Sequence, residues 1–120
     1  MVKGIGTDIT HIERIRKLGP EAIARILTPK EDAYCGHYKD PSERVAGRFA
    51  AKEAILKALG TGWAEGIGWK QMEILPDEAG APEVVLTGAA LKRLGTLGAT
   101  RCHISISHQG DYAVAFALIE

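Results

Sequence analysis

Glu53 stands where the core-facing stripe of a helix ought to be apolar. Residues 41–59 read as one long helix that stops at Gly60-Thr61-Gly62. At about 100° of rotation per residue, Val45, Leu56, Phe49, Glu53, Ala46, Lys57 and Ala50 share one arc, with Glu53 between Phe49 and Ala46. A carboxylate in that position loses hydration and needs a cation or strong donors in compensation. Two readings stay open here: a bound metal ion, or an ordinary Glu53–Lys57 pair at i,i+4 on a wet face.

Three further features bear on the choice. Asp8 ends a first strand whose same side carries Gly4 and Gly6, Gly60-Thr61-Gly62 follows Lys57 by one turn, and His108 sits at the tip of a final hairpin. Asp8 and Glu53 supply the one or two carboxylates that magnesium takes while it keeps positions for water and phosphate oxygens. Gly60 and Gly62 let backbone N–H groups approach a phosphate closely, and Thr61 adds a hydroxyl. Lys57 and Arg48 can neutralise phosphate charge. Neither GxxxxGK[ST] nor GxGxxG occurs, so the familiar nucleotide-binding loops are unsupported. The residue chemistry points to a magnesium-dependent site for a phosphorylated ligand.

The elements that must position these groups are legible in outline. Residues 2–9 read as a strand, 11–18 and 21–27 as short helices, and Thr28-Pro29-Lys30-Glu31 as a capping box opening a third. The long helix carries Ala51, Ala54, Ile55 and Ala58 on its far side, away from Arg48 and Lys52. Apolar almost all round, it is expected to be buried on more than one side, the second against another subunit. Trp69 to Leu75 alternates as a strand, Glu83 to Leu86 is a second, and Thr87 caps a helix to about Leu94. Cys102–Ser107 and Tyr112–Ile119 form a hairpin. The order β-α-α-α-α-β-β-α-β-β does not alternate, so an α+β fold is expected, with a small antiparallel sheet packed on one long and several short helices.

With 120 residues, the chain is expected to form a single domain, 1–120. Its fifteen basic and fifteen acidic residues cancel, so no overall positive field favours nucleic acid or an anionic membrane. Cys35 and Cys102 are isolated and show no zinc-type spacing. No signal-peptide run or membrane-length apolar segment is seen, and a cytoplasmic protein with reduced thiols is expected.

Four blocks resemble holo-acyl-carrier-protein synthase, the small type of 4'-phosphopantetheinyl transferase. They are Gly4-Ile5-Gly6-Thr7-Asp8-Ile9, Gly47-Arg48-Phe49-Ala50-Ala51-Lys52-Glu53-Ala54, Lys57-Ala58-Leu59-Gly60-Thr61-Gly62, and Ile104-Ser105-Ile106-Ser107-His108 with Asp111-Tyr112-Ala113. The resemblance implies transfer of the 4'-phosphopantetheine arm of coenzyme A to a serine of apo-acyl carrier protein, with adenosine 3',5'-bisphosphate leaving, a step of fatty acid biosynthesis. It implies that Asp8 and Glu53 hold magnesium on the diphosphate, and that Lys57 assists. Arg48, Lys57, Gly60, Thr61, Gly62, Pro82 and His108 would line the coenzyme A site. The serine proton would pass to a metal-bound or carboxylate-held water, or to Glu53. Arg14 and Arg25 would dock the acidic carrier, with Arg16 and Lys17 adding charge nearby. A homotrimer with sites shared between subunits is implied as well. Two positions depart from the family: His11 replaces a usual acid, and Ala81, before Pro82, replaces a frequent lysine. The alternative function is a non-catalytic subunit that binds coenzyme A or carrier protein.

Overall fold

A computed structural model describes residues 1–120. The elements are β1 (Gly4–His11), α1 (Ile12–Arg16), α2 (Pro20–Ile26), α3 (Pro29–Gly36), α4 (Ser42–Leu59), β2 (Met72–Pro76), β3 (Pro82–Leu86), α5 (Gly88–Thr96), β4 (Cys102–Gln109) and β5 (Tyr112–Ile119). The fold is α+β: an antiparallel sheet of order β1-β5-β4 packs on the long helix α4, and β2 and β3 form a separate hairpin. No helix is long and apolar enough to cross a membrane.

Small residues bring α4 onto the sheet. Ala113, Ala115 and Ala117 of β5 face it and are buried, as are the turns of α4 around Ala50, Ala54 and Ala58. A Cβ at Gly4 would collide with the carbonyl of Ala58, and one at Gly6 with that of Ala54. The glycines therefore set the approach of β1 to α4, and Asp8 follows them on the same strand face. The register aligns Asp8, Ala115 and Ile106 in one row, and Thr10, Ala113 and His108 in the next.

Two apolar clusters are built on opposite stretches of α4. One gathers Ile55, Leu59, Met72, Ile74, Leu94 and Ile119. The other gathers Ile12, Ile15, Leu27, Cys35, Val45 and Ala46 under α1–α3. Cys35 and Cys102 are free, and burial pushes each thiol up to about 11.

Three expectations change. Trp69–Gln71 is a 3-10 turn, so β2 begins only at Met72. Side-chain bonding holds that turn: Gln71 accepts from the Ala90 N–H and donates to the Gly66 carbonyl. His108 lies within β4, paired with Ala113, and the connection is the two-residue turn Gly110-Asp111 with Gly110 at φ 59°. The all-round apolar character of α4 is accounted for within the chain. Even its polar positions are covered, Arg48 at 5% exposure and Lys52 at 0%. Apolar surface is left open on the outer side of the sheet, where Ile5, Ile9 and Phe116 are 71%, 65% and 58% exposed.

Candidate active site

The residues singled out in the sequence fall into two groups on opposite flanks of α4. Glu53 and Arg48 are five positions apart, about 140° around the helix, which sends them to different sides.

On the β1 flank, Asp8 accepts a hydrogen bond from Thr10 Oγ1 at 3.0 Å and faces Lys57 Nζ at 3.2 Å. Lys57 Nζ also donates to the Thr7 carbonyl at 2.9 Å. Its ammonium is thus held over the end of the carboxylate side of β1 while its stem stays exposed. Glu53, one turn before Lys57, is half-buried. Burial first, and then the charge of Asp8, push its carboxyl above the usual range; Lys57, the Trp63 side chain and Arg14 pull the other way. A half-buried carboxyl whose proton affinity a second carboxylate helps to raise marks a site short of positive charge. A divalent cation fits that need. No third His, Cys, Asp or Glu joins them, which suits a hard ion that fills its remaining positions with water and phosphate oxygens. Gly60 ends α4 in the left-handed region at φ 78°, and Gly62 lies there too at φ 61°. The Thr61 hydroxyl is already given to the Gly62 carbonyl at 3.1 Å. The backbone N–H groups of Thr61 and Gly62 make no hydrogen bond within the chain.

Arg48, Pro82 and His108 lie on the other flank, around a cavity of about 260 Å³ shared with Tyr34, Tyr38, Arg44 and Gly47. Arg48 stacks over Tyr34 at 4.5 Å and Arg44 over Tyr38 at 4.1 Å, while the two phenols meet at 3.0 Å. The His108 ring nitrogens meet Arg44 Nη1 at 3.2 Å and Glu43 Oε2 at 3.5 Å. Two guanidiniums backed by aromatic faces suit a planar base and an added phosphate. Tyr34, Tyr38 and Arg44 were not singled out from sequence. Their signal was the i,i+4 spacing of Tyr34–Tyr38 on α3 and of Arg44–Arg48 on α4.

By strand spacing and register, Asp8 and His108 are about 12 Å apart at Cα, on opposite edge strands with α4 on the face between them. The cavity around Arg48 and His108 is not lined by Asp8 or Glu53.

Arg14 and Arg25 are both exposed. Arg14 lies over Phe49 at 5.4 Å, and the stack continues to Trp69 at 5.2 Å and Trp63 at 4.2 Å, an aromatic ladder ending beside Glu53. Arg25 makes only a 3.4 Å contact with the Glu21 carbonyl. Arg16 differs from its expected role as free charge: Glu13 and Asp40 each hold it at 2.6 Å.

The sequence model of the 4'-phosphopantetheinyl transferase superfamily matches residues 4–117. A holo-[acyl-carrier-protein] synthase of Solidesulfovibrio magneticus is 47% identical over 100% of this chain and 99% of its own. The crystal structure of a holo-[acyl-carrier-protein] synthase from Neisseria meningitidis matches with a TM-score of 0.90 at 38% identity, covering 100% of this chain and 99% of that one. The Helicobacter pylori synthase, in complex with coenzyme A, matches with a TM-score of 0.84 at 31% identity, covering 97% and 99%. The chain belongs to the 4'-phosphopantetheinyl transferase superfamily, among the holo-[acyl-carrier-protein] synthases, and is an enzyme of that class.

Proposed function

We propose that this enzyme transfers the 4'-phosphopantetheine arm of coenzyme A to a serine of apo-acyl carrier protein, releasing adenosine 3',5'-bisphosphate, with magnesium held by Asp8 and Glu53. The observation that carries the reading is the half-buried Glu53 carboxyl facing the charge of Asp8 beside Lys57. Magnesium bound there supplies charge neutralisation on the diphosphate and polarises the attacked phosphorus. Lys57 orients Asp8 and stands ready for a phosphate oxygen. The free N–H groups of Thr61 and Gly62 add neutral donors on the same side. Arg48, Arg44 and the two tyrosines take the adenosine end, with His108 and Pro82 at the cavity wall. Arg14 and Arg25 present positive charge to an acidic carrier, which raises the encounter rate and fixes its orientation. Once the serine hydroxyl is held in line with the phosphorus, positioning supplies much of the acceleration. Glu53, or a water that it or Asp8 holds, accepts the proton.

Coenzyme A must then reach both flanks of α4, and a homotrimer with shared sites answers this. The open apolar face of Ile5, Ile9 and Phe116 supports such an assembly, since monomers seldom leave three large neighbours bare on one sheet face. A neighbour seated there can bring its Arg48–His108 flank to this chain's Asp8–Glu53 flank. We read residues 1–120 as one domain, because both apolar clusters share α4, and assign the enzyme to the cytoplasm and to fatty acid biosynthesis.

The test is to incubate the protein with coenzyme A, magnesium and apo-carrier and to weigh the carrier. A gain of one phosphopantetheine supports transfer. Binding of both substrates with no gain supports the non-catalytic alternative.

A further inference from the structure

A chain of buried polar contacts lies between the parts of this site, and its central pair, Glu31 and Lys52, has no role in the mechanism above. Lys52 and Glu31 are both 0% exposed, and Lys52 Nζ meets Glu31 Oε1 at 2.6 Å. The same ammonium donates to the Ile26 carbonyl at 2.7 Å. Glu31 Oε1 also accepts from the Thr28 N–H at 2.9 Å, and its Oε2 accepts from the Ile74 N–H at 3.0 Å. The Ile74 carbonyl in turn accepts from Arg48 Nε at 3.2 Å. Every buried side-chain polar atom has a partner.

The neighbours of these atoms give the chain its meaning. Ile26 adjoins Arg25, the docking residue at the end of α2. Lys52 adjoins Glu53. Arg48 belongs to the adenosine flank. The contacts therefore run from the carrier surface through the helix of the metal ligand to the coenzyme A cavity. A buried ion pair is poor support for stability, since apolar groups of similar volume often do as well or better. What directional bonds add is register, and α2 needs it. Only seven residues long, it buries Ile26 alone and packs mainly against the Trp69–Gln71 turn.

We propose that Glu31 and Lys52 are positioning residues for the carrier substrate: their pair fixes the end of α2, with Arg25, relative to Glu53, so that a docked carrier presents its serine at the reacting phosphorus. This rests on the docking role given to Arg25 above. In the charge-free pair Lys52→Met/Glu31→Gln, no residue given a coenzyme A role is replaced and the glutamine carbonyl can still accept from the Ile74 N–H behind Arg48, while α2 loses its tether. The expected result is a folded protein whose KM for apo-carrier rises about tenfold while KM for coenzyme A stays within about twofold. Calorimetry in magnesium-free buffer should show the same weakening for carrier binding. Should that variant fail to fold, Lys52→Arg keeps the charge and the Glu31 pair but displaces Ile26, and the same carrier-selective loss is expected.

Equal changes in both Michaelis constants, or a lowered melting temperature with neither constant altered, would reduce the pair to a structural role and overturn the proposal. Arg25→Glu is the control. If it leaves carrier KM unchanged, the docking placement fails and the proposal with it, while transfer stands. If the wild-type protein modifies no carrier at all, the function itself is wrong.

Discussion

Replacing Glu53 with glutamine should stabilise the metal-free protein and destroy its activity. The carboxyl is raised by burial and by Asp8, so its ionised form costs the fold free energy at neutral pH. Glutamine keeps the shape and removes the charge. For a half-exposed group flanked by Lys57 and Arg14 the gain is under about 1 kcal/mol, the scale of a surface ion pair. In a chain of this size that is a rise in melting temperature of about 1–4 °C. The sign with pH follows from linkage: a carboxyl whose folded pKa is raised penalises the native state above that pKa and ceases to do so below its unfolded value. The advantage of Glu53→Gln should therefore shrink as pH falls toward about 4, the ordinary glutamate range. Magnesium with coenzyme A should reverse the order. At about 100-fold excess over Kd they add about 2.7 kcal/mol to the wild type, and little to the variant. Transfer should fall at least about 100-fold, a loss typical of damaged metal sites. Melting curves with chelator, then with magnesium and coenzyme A, suffice as the assay. A variant that melts below wild type in chelator, or one that retains the full ligand-induced rise, would refute the ligand role of Glu53.

Gly6→Val should push β1 off α4, because a Cβ there meets the Ala54 carbonyl; a loss of about 2–3 kcal/mol in urea unfolding is expected. Arg14→Glu should raise KM for the carrier with little change for coenzyme A, and equal effects on both would exclude Arg14 from docking. Phe116→Asp, at the open sheet face, should yield monomers on a sizing column and abolish transfer while circular dichroism stays native. Cys35, buried with its thiol pushed up to about 11, should resist alkylation at pH 8 in the native protein and react fully in urea, as read by intact mass.

Much of this architecture was legible because periodicity and punctuation agreed. The Thr28–Glu31 capping box is present as read, and α4 stops at Gly60 as its glycine signals. Glu53 was legible as a carboxylate in an apolar stripe and Asp8 as the end of a glycine-lined strand side, and the fold sets the charge of Asp8 against the Glu53 carboxyl. The second role of Glu31 was hidden. A capping residue looks satisfied locally, and nothing in a linear pattern shows that its carboxylate also receives Lys52 and the Ile74 N–H from distant elements. Lys52 was given no role from the sequence, because a buried ammonium is intelligible only once its acceptors are known. Trp69 read as strand because alternation cannot register a tertiary stack on Phe49 and Trp63.

The placement of the two residue groups on opposite flanks of α4, with the proposed sharing of sites, has a genetic corollary. A chain damaged at Glu53 keeps a sound adenosine flank, and one damaged at His108 keeps a sound carboxylate flank. In the trimer proposed above, where each reaction centre would draw one flank from each of two adjacent chains, two inactive alleles expressed together would regain function. With random cyclic mixing of equal amounts, about one centre in four would combine two intact flanks. Such interallelic rescue would occur between lesions on opposite flanks of the helix and never between lesions on the same one.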